Sequence, residues 1–207
     1  MGKIGLGLDS DIKVIKLEPY FKSDRFRTPL KFGKVIMEES TSLIVKATVE
    51  NRKGNIAEGY GSMPLADKWA FPDPSIPSEK KLEAMKLIGE RSCKLVEERW
   101  RSKYAHPIDI MLSLKSDILR IAKDIDREVG LKIGMPTLGV LVSTSPIDAA
   151  LHDSFGRVNG ICSYDGYGPR YMEHDLSFYL GEEFRGRYIS DYIRRDYSEK
   201  LPIFHLV

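Results

Sequence analysis

Cysteine is scarce, with 2 in 207 residues, and the positions of the pair exclude several chemistries. Cys93 falls inside a helical pattern and Cys162 in a glycine-rich stretch, too far apart for a disulfide framework or a thiolate zinc site. Reduced thiols in a cytoplasmic protein are expected. Long apolar runs are also missing: the stretch from Ile133 to Ile147 is uncharged but broken by Gly and Pro, short of the roughly 18 apolar residues of a membrane span. No charge sign dominates, since 32 Lys plus Arg face 30 Asp plus Glu for a formal charge of +2, which argues against nucleic acid as a partner. The start lacks a signal-peptide apolar core, and Leu6 stands where a myristoylation motif needs Ser or Thr. Catalytic spacing is missing too. His152-Asp153 and Glu173-His174-Asp175 carry metal-ligand residue types without the spacing that sets two ligands on one helical face. No serine sits in a nucleophile-elbow pattern, and Cys162 has no base beside it. Gly5-Leu6-Gly7-Leu8-Asp9 has the first glycines of a phosphate loop but neither the third glycine nor a following helix, so residues 1–11 are expected to be a flexible tail.

What is present is patterned. Ile12 to Phe21 is dense in β-formers, and Ser42 to Glu50 alternates Leu43, Val45, Ala47 and Val49 against polar neighbours. The turn cluster Asn51 to Asn55 then lets Ile56 to Gly61 return as a third antiparallel strand. Between the first two strands, Ser23 to Lys34 is basic, aromatic and interrupted by Pro29 and Gly33, which predicts a long loop. A second ordered loop is expected over Ser62 to Leu65 and the proline-rich segment to Pro77. Three helices follow. Ser78 can cap one that ends near Trp100 to Lys103; a second runs from about Ile108 to Val129 and stops at Gly130. A third has Ser145 as N-cap, Pro146 at its first position and a frayed end at Gly156 and Gly160. A short helix around Ser190 to Asp196 and an apolar β-like run from Leu201 to Val207 complete the chain. The predicted class is α+β, a three-stranded antiparallel meander followed by a helical bundle.

The candidate binding residues lie in the two loops. Arg25, Phe26, Arg27, Lys31 and Phe32 could set cations and aromatic edges over an anionic ligand, with arginine able to grip a carboxylate through two hydrogen bonds. Ser62 and Met63 would add a hydroxyl and a flexible thioether. Either loop could equally serve only to anchor itself on the sheet.

The order of features, and above all Ile147-Asp148-Ala149-Ala150-Leu151-His152-Asp153-Ser154-Phe155-Gly156-Arg157, resembles the amino-terminal capping domain of the enolase superfamily, in its mandelate racemase and muconate-lactonizing branch. The branch's usual helix reads Ala-x-Asp-x-Ala-Leu-x-Asp-x-x-Gly-Lys; here His152 stands where Trp is common and Arg157 replaces Lys. The resemblance implies a cap over residues 12–160 and, in 161–207, a linker and the first strand of an incomplete (β/α) barrel. It implies an acid-sugar dehydratase, racemase or epimerase, in which carboxylates hold Mg²⁺ and a base removes the proton α to a substrate carboxylate. It assigns the two loops, Arg25 to Phe32 and Gly61 to Leu65, to the pocket of a carboxylate-bearing small molecule. A barrel of this kind takes about 250 residues and carries its catalytic groups on several strand ends, so no catalytic residue and no metal ligand is assigned in this chain. It is expected to be inactive alone. Two alternatives stay open: a cap completed in trans by a barrel-carrying partner, or self-associating, through Leu201 to Val207, and a free-standing ligand-binding α+β protein.

Overall fold

The computed structural model describes residues 7–32, 35–194 and 196–203. Three strands, β1 (Ile12–Phe32), β2 (Val35–Asn51) and β3 (Ile56–Pro64), form one antiparallel sheet in the order β1-β2-β3. One face of β2 presents Leu43, Val45, Ala47 and Val49, all fully buried, and β1 adds Ile12 and Val14 on the same side. Helices α2 (Ser78–Trp100), α3 (Pro107–Val129) and α4 (Thr137–Asn159) cover that face, with Met85, Ile88, Ile110, Ile125, Ile147 and Leu151 closing the core. The architecture is α+β.

The first predicted loop is a strand. β1 runs through Ser23–Phe32 and pairs with β2 as a long arm, with Arg25 opposite Glu39 and Lys31 opposite Ile36. The expectation of a loop came from Pro29, but the register slips between Arg25 and Leu30. A proline that cannot donate to a ladder is tolerated at such an irregularity. Gly33 and Lys34 lie outside the described residues. Ser62 and Met63, expected in the second loop, are likewise in strand, opposite Ile44 and Leu43.

The helix starts need correction as well. Ser78 is already helical, with Pro77 in the cap position; its hydroxyl donates instead to Asp67 Oδ2 at 2.5 Å, tying α2 to the short helix α1 (Asp67–Ala70). Helix α4 begins two turns before the predicted Ser145-Pro146 start, so Pro146 sits inside it. A proline there leaves the carbonyl four residues back without its amide donor, and the Ser145 hydroxyl donates to that carbonyl, of Val142, at 3.2 Å. The same segment therefore satisfies the helix from within. Gly156 is internal, and Gly160 ends α4 at φ 66°. Helix α3 does end where predicted, at Gly130 with φ 71°.

β3 lies on α4 backbone to backbone. A Cβ on Gly59 would stand 2.2 Å from the Ser154 nitrogen, and one on Gly61 would stand 2.1 Å from the Pro146 oxygen, so no larger residue fits either place. After α4 the chain forms 3₁₀ turns at Ser163–Tyr167, Glu182–Phe184 and Ile189–Asp191 and the short helix α5 (Leu176–Leu180). The short helix expected near Ser190 to Asp196 is thus a single turn. Residues 201–203 are exposed and not in a strand, and 204–207, the rest of the expected terminal strand, lie outside the described residues. At the other end residues 1–6 are likewise outside, while Asp11 is buried and accepts the Leu8 amide at 2.9 Å, and Asn159 donates to the Ser10 carbonyl.

Candidate functional site

The arm of β1 and β2 reaches past the helices and, with the end of β3 and the first turns of α1 and α2, encloses a cleft of about 700 Å³. Its cations are Arg25 on the arm and Lys68 on α1; its carboxylates are Asp24, Glu38, Glu39 and Asp67. Among the described residues Arg25 makes no ion pair, so its guanidinium is available to a ligand. Lys68 Nζ lies 3.5 Å from Asp67 Oδ2. Asp67 itself is buried and is held by the Ser78 hydroxyl. The floor is polar where Thr41 meets Ser23, their hydroxyls 2.8 Å apart, and apolar at Leu65 and Leu82. Behind α1, Lys81 is buried against the Phe71 ring and donates to the Asp73 carbonyl; burial pulls its amine below the usual lysine range.

Two of the seven residues expected to bind ligand line this cleft, Arg25 and Phe26. Arg27 and Lys31 are exposed elsewhere on the arm, and Phe32 pairs with Val35 through its main chain, its side chain lying outside what is described. Ser62 is exposed on β3 away from the cleft, and Met63 is half-buried against the core. The alternation along β3 separates these last two, because neighbouring side chains in a strand point to opposite faces. Sequence reasoning missed Lys68, Asp67 and Ser78. The signal for them was the proline-rich run from Pro64 to Pro77, which folds these polar groups back beside the arm.

The α4 motif has a structural part to play. Asp153 Oδ2 accepts the Tyr60 amide at 2.9 Å and pairs with Arg157 Nε at 2.9 Å, so the helix occupies a donor on the edge of β3. His152 Nδ1 lies 3.2 Å from the Tyr167 hydroxyl, and its Nε2 lies 3.6 Å from Asp148. Beside it His106, 2% exposed, caps α3 by accepting the Ile108 amide on Nδ1, while its Nε2 has no partner of normal geometry. Burial pushes this imidazole down to about 3, and the neighbouring His152 acts in the same direction. Asp175 caps α5, held below the usual carboxylate range by the Ser177 hydroxyl and the Gly186 amide. His174 stacks on Phe178 with centroids 4.0 Å apart. Cys93 is buried, its thiol pushed up to about 12 by desolvation, and Cys162 is exposed and free.

Among the described residues no three His, Cys, Asp or Glu side chains are grouped to hold a metal ion, so the donor set does not fit the Mg²⁺ that the sequence resemblance implies. What the cleft can do is bind and position. Arg25 can grip a carboxylate, Lys68 can add a point charge, and the opposing carboxylates can accept hydroxyl or ammonium protons.

No family model matches the sequence, and no curated protein matches it. Several solved structures are similar to it in fold. One is an enolase from Bradyrhizobium complexed with magnesium and mandelic acid, 13% identical with a TM-score of 0.40, covering 72% of this chain and 33% of that one. A second is a dipeptide epimerase from Enterococcus faecalis V583 complexed with Mg and the dipeptide L-Leu-L-Tyr, 15% identical with a TM-score of 0.41, covering 76% and 35%. A third is the L-Ala-D/L-Glu epimerase from Bacillus subtilis in a substrate-liganded complex, 15% identical with a TM-score of 0.38, covering 74% and 33%. The chain spans about a third of the length of each. No described helix is long and apolar enough to cross a membrane.

Proposed function

We propose that this chain is the substrate-capping part of a Mg²⁺-dependent enzyme of the enolase superfamily, an acid-sugar dehydratase, racemase or epimerase that removes a proton α to a carboxylate. Its role is to close over the ligand and select it; the metal and the base come from a barrel, and the chain by itself is inactive. The observation that carries the reading is convergence. The two segments that the sequence resemblance assigns to the pocket both line one cleft, through Arg25 and Phe26 from the first and Pro64 and Leu65 from the second. Arg25 is the carboxylate-gripping group, and Phe26, 38% exposed, supplies an apolar edge.

The experiment is α-proton exchange in D₂O. The purified chain with Mg²⁺ and a panel of mandelate, tartrate and glucarate is expected to show no exchange by proton NMR. Exchange without any added protein overturns the assignment of chemistry to a barrel. In a complex with a barrel that restores exchange, Arg25→Ala is expected to raise KM by about tenfold or more, the loss of one charge-assisted carboxylate contact. An unchanged KM removes the arm from the pocket.

A further inference from the structure

At the end of the sheet away from the arm, four parts of the chain meet around a polar pocket of about 460 Å³. They are residues 7–10 ahead of β1, Lys53 in the turn between β2 and β3, Asn159 as the last residue of α4, and Arg170-Tyr171 beyond it. The arm cleft takes the first residues of β2, whereas this pocket takes the turn that follows its last, Asn51. The walls are tied together by two asparagines. Asn51, 1% exposed, uses its whole side-chain amide: Oδ1 accepts the Lys53 and Asn55 amides at 3.1 and 3.0 Å, and Nδ2 donates to the Val158 carbonyl and to Asn159 Oδ1, both at 3.2 Å. Asn159 Nδ2 donates in turn to the Ser10 carbonyl at 2.9 Å. A satisfied buried network of this kind fixes the turn, the helix end and the segment ahead of β1 in one arrangement before any ligand arrives. Arg170 is positioned separately, its guanidinium 5.4 Å from the centroid of the Tyr171 ring, and that ring packs edge-on against Phe155 of the core.

The charges select the ligand. Among the described residues Arg170 makes no ion pair, and Lys53 meets only Asp9, at 3.8 Å with both side chains mostly exposed. An exposed pair of that length is worth little, so the lysine can turn to a better partner. Arg52, which lies against Gly7, is already occupied by Asp11 at 3.7 Å. The turn closed by the Asp11 amide on the Leu8 carbonyl, at 2.9 Å, leaves the amides of Asp9 and Ser10 without an acceptor among the described residues. The pocket thus offers one lysine, one arginine and two amides against a single carboxylate. A carboxylate ligand would be satisfied by the arginine fork alone, whereas a phosphate has oxygens enough for donors that come from separate segments. The volume falls within the range of about 300–1,000 Å³ of small-molecule sites, which leaves room for an organic group beyond the phosphate.

We propose that this pocket is a phosphate site, taking a small phosphorylated compound whose phosphate is shared by Lys53 and Arg170. It stands independently of the capping role, because no residue lines both this pocket and the arm cleft.

Calorimetric titration of the full chain with inorganic phosphate and with glycerol 3-phosphate, at fixed ionic strength, tests it. Both are expected to bind saturably at one site, inorganic phosphate with a Kd of about 1 mM or below and the ester more tightly. Lys53→Ala and Arg170→Ala are each expected to weaken binding by about tenfold or more, the loss of one charge-assisted contact. Both side chains are exposed, so the circular dichroism spectrum and melting temperature of the two variants are expected to stay those of the wild type. No saturable binding of either probe up to about 10 mM overturns the proposal, and so does binding that survives both substitutions. Binding lost with Arg25→Ala instead places the anion in the arm cleft and overturns it too. Inorganic phosphate bound without the ester shows an adventitious ion only, and removes the phosphorylated compound.

Discussion

β1 and β2 lead two different lives along their length. From Ile12 to Phe21 and back from Asn51 to Leu43 they are the floor of the core, with Ile12, Val14, Val45 and Val49 fully buried. From Arg25 to Phe32 and from Val35 to Ser40 the same two strands stand clear of the helices, and Arg25, Phe26 and Arg27 are exposed. The two strands pair in both halves, with a break between Arg25 and Leu30 in the outer one. What changes is side-chain packing: the inner half is constrained by contacts that leave no room for variation, and the outer half is free to carry binding chemistry. A pair of strands can therefore hold the fold at one end and present a ligand-binding arm at the other.

The largest test of that contrast is on β3, where Gly61 pairs with Val45 of the inner half. Gly61→Ala is expected to destabilise the chain by about 3 kcal/mol, because its Cβ would meet a helix backbone that cannot rotate away; urea unfolding measures it, and a loss below about 1 kcal/mol would mean that β3 and α4 separate easily. Next is acid sensitivity from His106. Its folded-state value is lowered to about 3 from the ordinary 6.5, so the unfolded chain takes up the proton first as the pH falls. Its contribution is intact above about pH 6.5 and declines below it by up to about 1.4 kcal/mol per pH unit, levelling off near pH 3. His106→Asn, which keeps a capping side chain, is expected to flatten the difference between pH 6 and pH 4; parallel curves for the two proteins would show that the imidazole is not held neutral. Asp153→Ala removes the acceptor for the Tyr60 amide and is expected to cost about 1 kcal/mol, since that amide is near enough to the surface to turn to water. On the arm, Arg25→Ala and Arg27→Ala are each expected to change stability by less than about 0.5 kcal/mol. Only Arg25→Ala is expected to alter ligand binding, because Arg27 does not line the cleft. A stability loss at either arginine would erase the contrast between the halves.

The meander was legible from alternation at Leu43, Val45, Ala47 and Val49, and the end of α3 from Gly130, because burial on one face and a left-handed cap both leave a local trace. The start of α4 was not. Ser145-Pro146 carries the marks of a helix beginning, and nothing nearby announces that the serine hydroxyl will instead fill the donor the proline lacks. The arm was misread for a related reason: Pro29 suggests a break, while the pairing that overrides it comes from Val35 to Glu39 on the other strand. Of the candidate site, the arm's Arg25 and Phe26 were visible as chemistry in an exposed stretch. Lys68 and Asp67 were not, since only the folded path of the proline-rich connection brings them within reach.

The carboxylate that Asp153 sets against the Tyr60 amide also governs how the sheet can grow. A foreign strand approaching β3 at that point meets a charged acceptor already in place and must strip it of its bond before any ladder can form. Recruitment of a further strand is thereby discouraged at the middle of β3, and the β1-β2-β3 sheet keeps its width there.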